Sequence, residues 1–197
     1  MSGKVLPLFR PAGRALEISD EALVAACAVG DQAALGALFD RHHLRIHRFL
    51  CRVASLSPSE GEDLLQETFT AVWKASQRYQ GESKALTWLF GIAANIARNQ
   101  VRSRLRGQRA LTVLGEQPSW DREAADEIAA RRQALQRLER AMAELPHDHR
   151  VALVMCDLEG TSGVDAAKAL GVRPGTIWRR LHEARHMLRE KMAEGER

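Results

Sequence analysis

Cysteine is scarce: Cys27, Cys51 and Cys156 are the only three in 197 residues. They form no CxxC pair and leave an odd thiol in any disulfide scheme. That excludes a disulfide-stapled secreted scaffold and points to a reducing compartment. Long apolar runs are missing as well. The first 18 residues carry Lys4, Arg10 and Arg14 but no apolar stretch of signal-peptide length. No later stretch reaches the roughly 18 apolar residues of a membrane span. The expectation is a soluble, cytoplasmic protein with no membrane insertion, carrying a mobile extension over residues 1–18. Glycine (14) and proline (6) are sparse, which excludes collagen-like or low-complexity material. Alternating β-branched runs are almost absent, which argues against sheets. No phosphate loop, nucleophile elbow or paired-carboxylate pattern occurs. The chain is therefore read as a non-enzyme, with no catalytic residue, no cofactor and no metal site assigned.

What is present is a helical pattern around an adequate apolar content, 45% of residues, with apolar positions recurring at three- and four-residue steps. The length suits two small domains better than one large one. The fold expected is all-α, two small helical domains joined by a linker. Ser19 and Asp31 are placed to cap the first two helices. The second helix carries Leu35, Leu38, Phe39, Leu44, Ile46, Phe49, Leu50 and Val53, which are expected to bury one another. A third helix is read over about 60–78 and a fourth over about 86–106, with Asn95, Arg98, Asn99, Arg102 and Arg106 left outward. The first domain is thus placed at 19–106, the linker at 107–120 and the second domain at 121–197. In that domain Ile128, Leu135, Leu138 and Met142 keep heptad-like spacing up to Leu145-Pro146.

The net charge of +4 is mild, and its distribution says more. Between Glu82 and Glu116 no acidic residue occurs, yet Lys84, Arg98, Arg102, Arg104, Arg106 and Arg109 all do. One segment is strongly cationic, as nucleic-acid partners require.

The most informative local pattern is a helix-turn-helix between Arg150 and Leu188. Ser162 is a helix cap with Asp165 as its capping-box partner, Gly171 supplies the tight turn, and Pro174 suits the first turn of the next helix. In that helix Ile177, Leu181, Ala184 and Leu188 form one stripe. At about 100° per residue, Arg179 points most directly away from it, Thr176 lies near Arg179, and Trp178 and Arg180 flank it. Such a helix reads bases from its N-terminal half. Arg173, Thr176, Trp178, Arg179 and Arg180 are the candidate duplex-binding residues.

Two blocks together carry a family resemblance. Asp63-Leu64-Leu65-Gln66-Glu67-Thr68-Phe69 with Val72-Trp73, Tyr79-Gln80-Gly81-Glu82-Ser83, and Thr87-Trp88-Leu89-Phe90 with Ile92-Ala93 and Asn95 form the first. Leu145-Pro146, Glu159-Gly160, Gly175-Thr176, and Arg180-Leu181-His182 with Ala184-Arg185 form the second. The chain resembles the extracytoplasmic-function (ECF) sigma factors of bacterial RNA polymerase, over about residues 20–188. The resemblance implies a subunit that directs promoter recognition, melting and transcription initiation, in a stress or environmental response. It implies docking on core RNA polymerase through Asp63, Gln66 and Glu67. It implies contact with the melted minus-ten element of promoter DNA through Tyr79, Gln80, Glu82, Ser83, Lys84, Trp88, Asn95, Arg98 and Arg102. Reading of the minus-thirty-five duplex falls to the helix-turn-helix, and an anti-sigma factor is implied as a further partner. The chain departs from the family at Ala85 and Leu86, where Phe and Arg are usual, and at Gly91 and Ala94, where basic residues are common. Further departures are Trp178-Arg179 in place of Lys-Ser, Gly163 in place of an aromatic, and a proline one place late.

Two other readings compete. A helix-turn-helix regulator with an N-terminal sensing or oligomerisation domain explains the second block but neither Gln66-Glu67 nor the acid-free segment. His182-Glu183-Ala184-Arg185-His186 matches the H-E-x-x-H of zinc metalloproteases, with a third ligand to be found only among Glu190, Glu194 and Glu196. His43 with His47, and His147 with His149 around Asp148, are read as solvated or capping residues.

Overall fold

The computed structural model describes residues 18–110 and 126–194. Residues 1–17, the expected linker from 111 onward and the expected restart at Asp121 lie outside the described residues, as do the side chains of Arg106, Arg109 and Ile128. Among the described residues every element is helical. The all-α architecture with two helical domains is the one expected.

The first unit comprises α1 (Asp20–Ala28), α2 (Gln32–Ala54), α3 (Pro58–Ala75), a 3-10 turn (Ser76–Arg78) and α4 (Ala85–Ala110). Local chemistry sets three of its starts. The Ser19 hydroxyl accepts from the Ala22 amide at 3.2 Å, and the Asp31 carboxylate accepts from the Ala33 and Ala34 amides. Ser57 opens α3 with a full capping box, its hydroxyl accepting from the Glu60 amide while Glu60 accepts from the Ser57 amide. Pro58 sits in the first turn, where no intrahelical N–H is needed. The helix therefore begins two residues earlier than expected. It ends as an α-helix at Ala75, and the remaining turn to Arg78 is tighter.

Leu38, Ile46, Phe49, Leu50 and Val53 of α2 are buried against α3 and α4. The Phe49 and Phe90 rings meet at 4.7 Å between centroids, each such burial worth about 1.5–3 kcal/mol over exposure. Leu44 corrects the expected core, since it is 59% exposed. It lies two residues before Ile46, about 200° round the helix from the buried stripe. Phe39 is also partly exposed, stacked on His43 and edge-on to Phe69.

The second unit comprises α5 (Asp126–Ala143), α6 (His147–Leu153) continued by a π-helical turn (Val154–Leu158), α7 (Gly163–Leu170) and α8 (Pro174–Glu194). Of the expected heptad, Leu135 is exposed, Leu138 half-buried and Met142 buried. Ile177, Leu181 and Ala184 of α8 are buried, and Leu188 packs partly against them, as the stripe requires. The buried apolar cluster runs without a break from one unit into the other. The most extensive contact between the units is that of α4 with α7, where Gly91 lies so tight on the Ala169 carbonyl that a side chain there would overlap it.

Candidate nucleic-acid interface

The helix-turn-helix is assembled by short-range contacts. The Ser162 hydroxyl accepts from the Asp165 amide at 3.0 Å. Asp165 completes only half of the expected capping box, for its carboxylate takes the Ser162 hydroxyl at 2.7 Å. Gly171 adopts φ +64°, which closes the turn in a region that side chains disfavour. Pro174 then opens α8.

On α8, Arg173 and Gly175 are exposed and Thr176 is half-buried. Trp178 is 53% exposed, its indole laid over Gly163, where a Cβ would come within 2.6 Å of the ring. The missing aromatic at Gly163 and the added one at Trp178 thus fill one space. Arg179 reaches solvent with 68% of its side chain exposed and a loose 3.5 Å contact to Glu183. Arg180, with 17% exposed, donates to Asp148 at 2.6 Å.

The minus-ten candidates gather around the start of α4. The Tyr79 hydroxyl donates to the Ser83 carbonyl at 2.6 Å, and its ring lies 4.9 Å from that of Trp88. Burial, then the Glu21 charge, push the Tyr79 phenol up, so it remains a donor. Gln80, Glu82 and Lys84 project into solvent on the same loop. Trp88, Asn95, Arg98 and Arg102 fall on one face of α4 over about 21 Å. Arg102 and Asn95 are exposed. Arg98 bonds Asn95 at 3.3 Å and turns its remaining donors to Asp148 at 3.0–3.2 Å.

The polymerase candidates Asp63, Gln66 and Glu67 are all exposed on α3. Gln66 stands at the edge of an open groove of about 840 Å³ between α2 and α3, floored by Leu35, Phe39, Leu65, Phe69 and Trp73. Of the three candidates only Gln66 borders this apolar trough, whose polar edge is completed by Gln32, Glu62 and Thr70.

Three residues that hold this site together carry no sequence signal of that role. Glu21 of α1 accepts from the Ala85 amide at 3.0 Å and so caps α4. Asp148 takes an arginine from each unit. Glu159 accepts from Arg45 at 2.6 Å, with Arg52 nearby. The pairs are separated by 64, 50, 32 and 114 residues, beyond the reach of any local pattern.

The histidines correct the expectation of solvated or capping roles. His43 and His47 donate to the Phe39 and Pro58 carbonyls and are half-buried. His147 donates to the Val53 carbonyl at 3.1 Å across the two units. His149 bonds Glu183 at 2.7 Å, which takes the glutamate of the H-E-x-x-H match. Among the described residues no group of three potential ligands is arranged to hold a metal ion. The three thiols are free, and burial pushes each of them up. Among the described residues no helix is long and apolar enough to cross a membrane.

Comparison with known proteins decides between the readings. Sigma-70 region 2 matches residues 38–107 and Sigma-70, region 4 matches residues 135–188. The ECF RNA polymerase sigma factor SigM of Mycobacterium tuberculosis is 32% identical over 87% of this chain and 84% of its own. This chain belongs to the ECF RNA polymerase sigma factor family. A sigma factor accounts for both sequence blocks, and the regulator and protease readings are not favoured. Among solved structures, CnrH in complex with the cytosolic domain of CnrY aligns with a TM-score of 0.64 at 25% identity, covering 89% of this chain and 97% of that one. The sigma factor RpoE in complex with the anti-sigma factor NepR, from Bartonella quintana, aligns with a TM-score of 0.61 at 26% identity, covering 79% and 94%.

Proposed function

We propose that this sigma factor acts in the cytoplasm by docking its α3 face on core RNA polymerase and presenting α4 and α8 to the two promoter elements. The polymerase supplies all the chemistry. The observation that carries this reading is one helical scaffold bearing both a polar-edged apolar groove on α3 and a helix-turn-helix whose second helix leaves Trp178 and Arg179 in solvent. Asp63, Gln66 and Glu67 border the docking surface. Tyr79, Gln80, Glu82, Ser83, Lys84, Trp88, Asn95, Arg98 and Arg102 handle the melted minus-ten strand, with aromatic faces for unpaired bases and a cationic path for phosphates. Arg173, Thr176, Trp178, Arg179 and Arg180 face the minus-thirty-five duplex. The expected domains, 19–106 and 121–197 joined by 107–120, are kept with one change: α4 continues to Ala110, four residues past the expected boundary. An anti-sigma factor is a fitting further partner, since RpoE aligns in a form captured with one, and control by such a partner suits a stress or environmental response.

In-vitro transcription with core polymerase on a genomic promoter library tests the reading, with promoter-specific transcripts expected only when the chain is added. The variant carrying Gln66→Ala and Glu67→Lys should keep its thermal transition and lose core binding. Unchanged binding would remove the α3 assignment.

A further inference from the structure

The described helices leave the trough between α2 and α3 open, with Leu35, Phe39 and Trp73 standing in it only partly buried. At about 840 Å³ it has the size of a ligand pocket, and an apolar patch rimmed by polar groups marks a docking site. Its surroundings are charged on one side only. α3 carries Glu60, Glu62, Asp63 and Glu67 against a single base, Lys74. Glu60 is taken by Arg104. Glu62, which lines the trough, and Asp63 and Glu67 beside it on α3 are exposed and have no ion-pair partner among the described residues.

We infer that the occupant of this trough is a segment of the chain itself, Val5-Leu6-Pro7-Leu8-Phe9, held between the cations Lys4 and Arg10. Val5, Leu6, Leu8 and Phe9 bring apolar side chains to a floor of Leu35, Phe39, Leu65, Phe69 and Trp73, and the burial removes apolar surface from water on both sides. Charge selects this segment over the other long stretch outside the described residues. Residues 1–17 carry Lys4, Arg10 and Arg14 against Glu17, which suits the acidic rim, whereas residues 111–125 carry Glu116, Asp121 and Glu123 against Arg122, which the rim repels.

The point of exit gives the segment the reach it needs. Arg41 of α2 donates to the Ile18 carbonyl at 2.7 Å and so fixes where residues 1–17 join the fold. Phe39 is two positions from Arg41 on the same helix, about 200° round it, which makes the path to the trough roughly 20 Å around a helix 10–12 Å across. Residues 10–17, extended, span about 26 Å. A tether this short holds the segment at an effective concentration on the order of 1 mM, so an intrinsic docking constant of about 0.1 mM fills the trough in about 90% of free molecules. The functional consequence rests on the assignment of α3 to core polymerase. Gln66 lines the same trough, so polymerase meets an occupied surface and its apparent affinity falls about ten-fold.

Photocrosslinking in the full chain tests the docking. With Phe9 replaced by p-benzoylphenylalanine, irradiation should join residue 9 to α2 or α3 at Leu35, Phe39, Phe69 or Trp73, with a yield independent of protein concentration. Adding Lys4→Glu and Arg10→Glu should lower that yield several-fold. Crosslinks that map elsewhere, or that form only between two chains, would overturn the docking. A chain carrying Leu8→Asp and Phe9→Asp keeps every described core residue and should bind core polymerase about ten-fold more tightly than wild type. Unchanged core binding beside a crosslink mapped to the trough would overturn the competition and leave the docking standing. If the chain carrying Gln66→Ala and Glu67→Lys then also binds core normally, the failure lies in the α3 assignment.

Discussion

The two helices proposed to meet DNA are started by opposite means. α8 begins where its own neighbourhood dictates: Gly171 turns the chain in the left-handed region, and Pro174 occupies the first helical turn. α4 begins where a distant residue permits, since the Ala85 amide is taken by Glu21 of α1, across 64 residues. Between them they show two ways of aiming a helix. One is written in a stretch of a dozen residues. The other exists only once α1 and the Tyr79–Trp88 pair are in place. This also separates two kinds of departure from the family. At Gly163 and Trp178 the missing and added aromatics compensate within one motif. At Gly91 the lost side chain is answered by a helix from the other domain.

The largest test of this contrast removes the anchors themselves. Ile177→Ala and Leu89→Ala each empty a fully buried site and should cost about 2–5 kcal/mol in denaturant unfolding. Equal losses are expected, because burial, unlike helix starting, does not distinguish the two helices. A smaller effect is expected at the local turn. Gly171→Val forces a side chain into φ +64° and should cost about 1–2 kcal/mol, with loss of minus-thirty-five binding measured on the duplex.

The capping pair sharpens the comparison further. Glu21→Ala and Ser162→Ala each remove one cap and should cost about 0.5–2 kcal/mol. Amide exchange should then quicken at Ala85 for the first and at Asp165 for the second. If Glu21→Ala leaves exchange at Ala85 unchanged, α4 starts by local means and the contrast is void.

Arg179 and Arg180 refine it within one helix. Arg179→Ala should blur preference between matched and mismatched duplexes by about 1–3 kcal/mol, whereas Arg180→Ala should weaken both alike and lower the salt slope by about one unit. Equal losses on both duplexes for Arg179→Ala would remove its base-reading role.

The smallest effect is that of pH. Burial holds the His147 imidazole below its ordinary value, with the Val53 and Ala94 backbone, Arg150 and Asp148 as lesser influences. Its folded form is the neutral one, so the unfolded chain binds the extra proton first as pH falls. Stability attached to His147 should be whole above about 6.5 and decline below it. A His147→Gln chain should lose that part of the slope in thermal melts taken across this window.

How legible the molecule was in its sequence follows the same division. The caps at Ser19, Asp31 and Ser162 and the stripe through Ile177, Leu181 and Ala184 could be read, because each depends on residues within a turn or two. The direction of Arg179 could be read for the same reason. Leu44 was misjudged, since an apolar residue two places off a buried stripe points away from it, and apolar character alone does not show which face a neighbour will cover. His147 and His149 were misjudged because their partners, Val53 and Glu183, come from other helices.

By itself the sequence determined an all-helical chain, a helix-turn-helix with its outward arginine, and membership of a family recognised from two ordered blocks. All of these rest on periodicity, caps and short motifs, whose energetics are local. Only the tertiary structure decided that Glu21 starts α4, that Glu159 is buried against Arg45, and that Asp148 stands between Arg98 and Arg180. Those pairings depend on which faces meet once the core has closed. Charges far apart in sequence take partners according to where packing leaves them, and a carboxylate left half-buried at a seam takes the nearest cations from both sides.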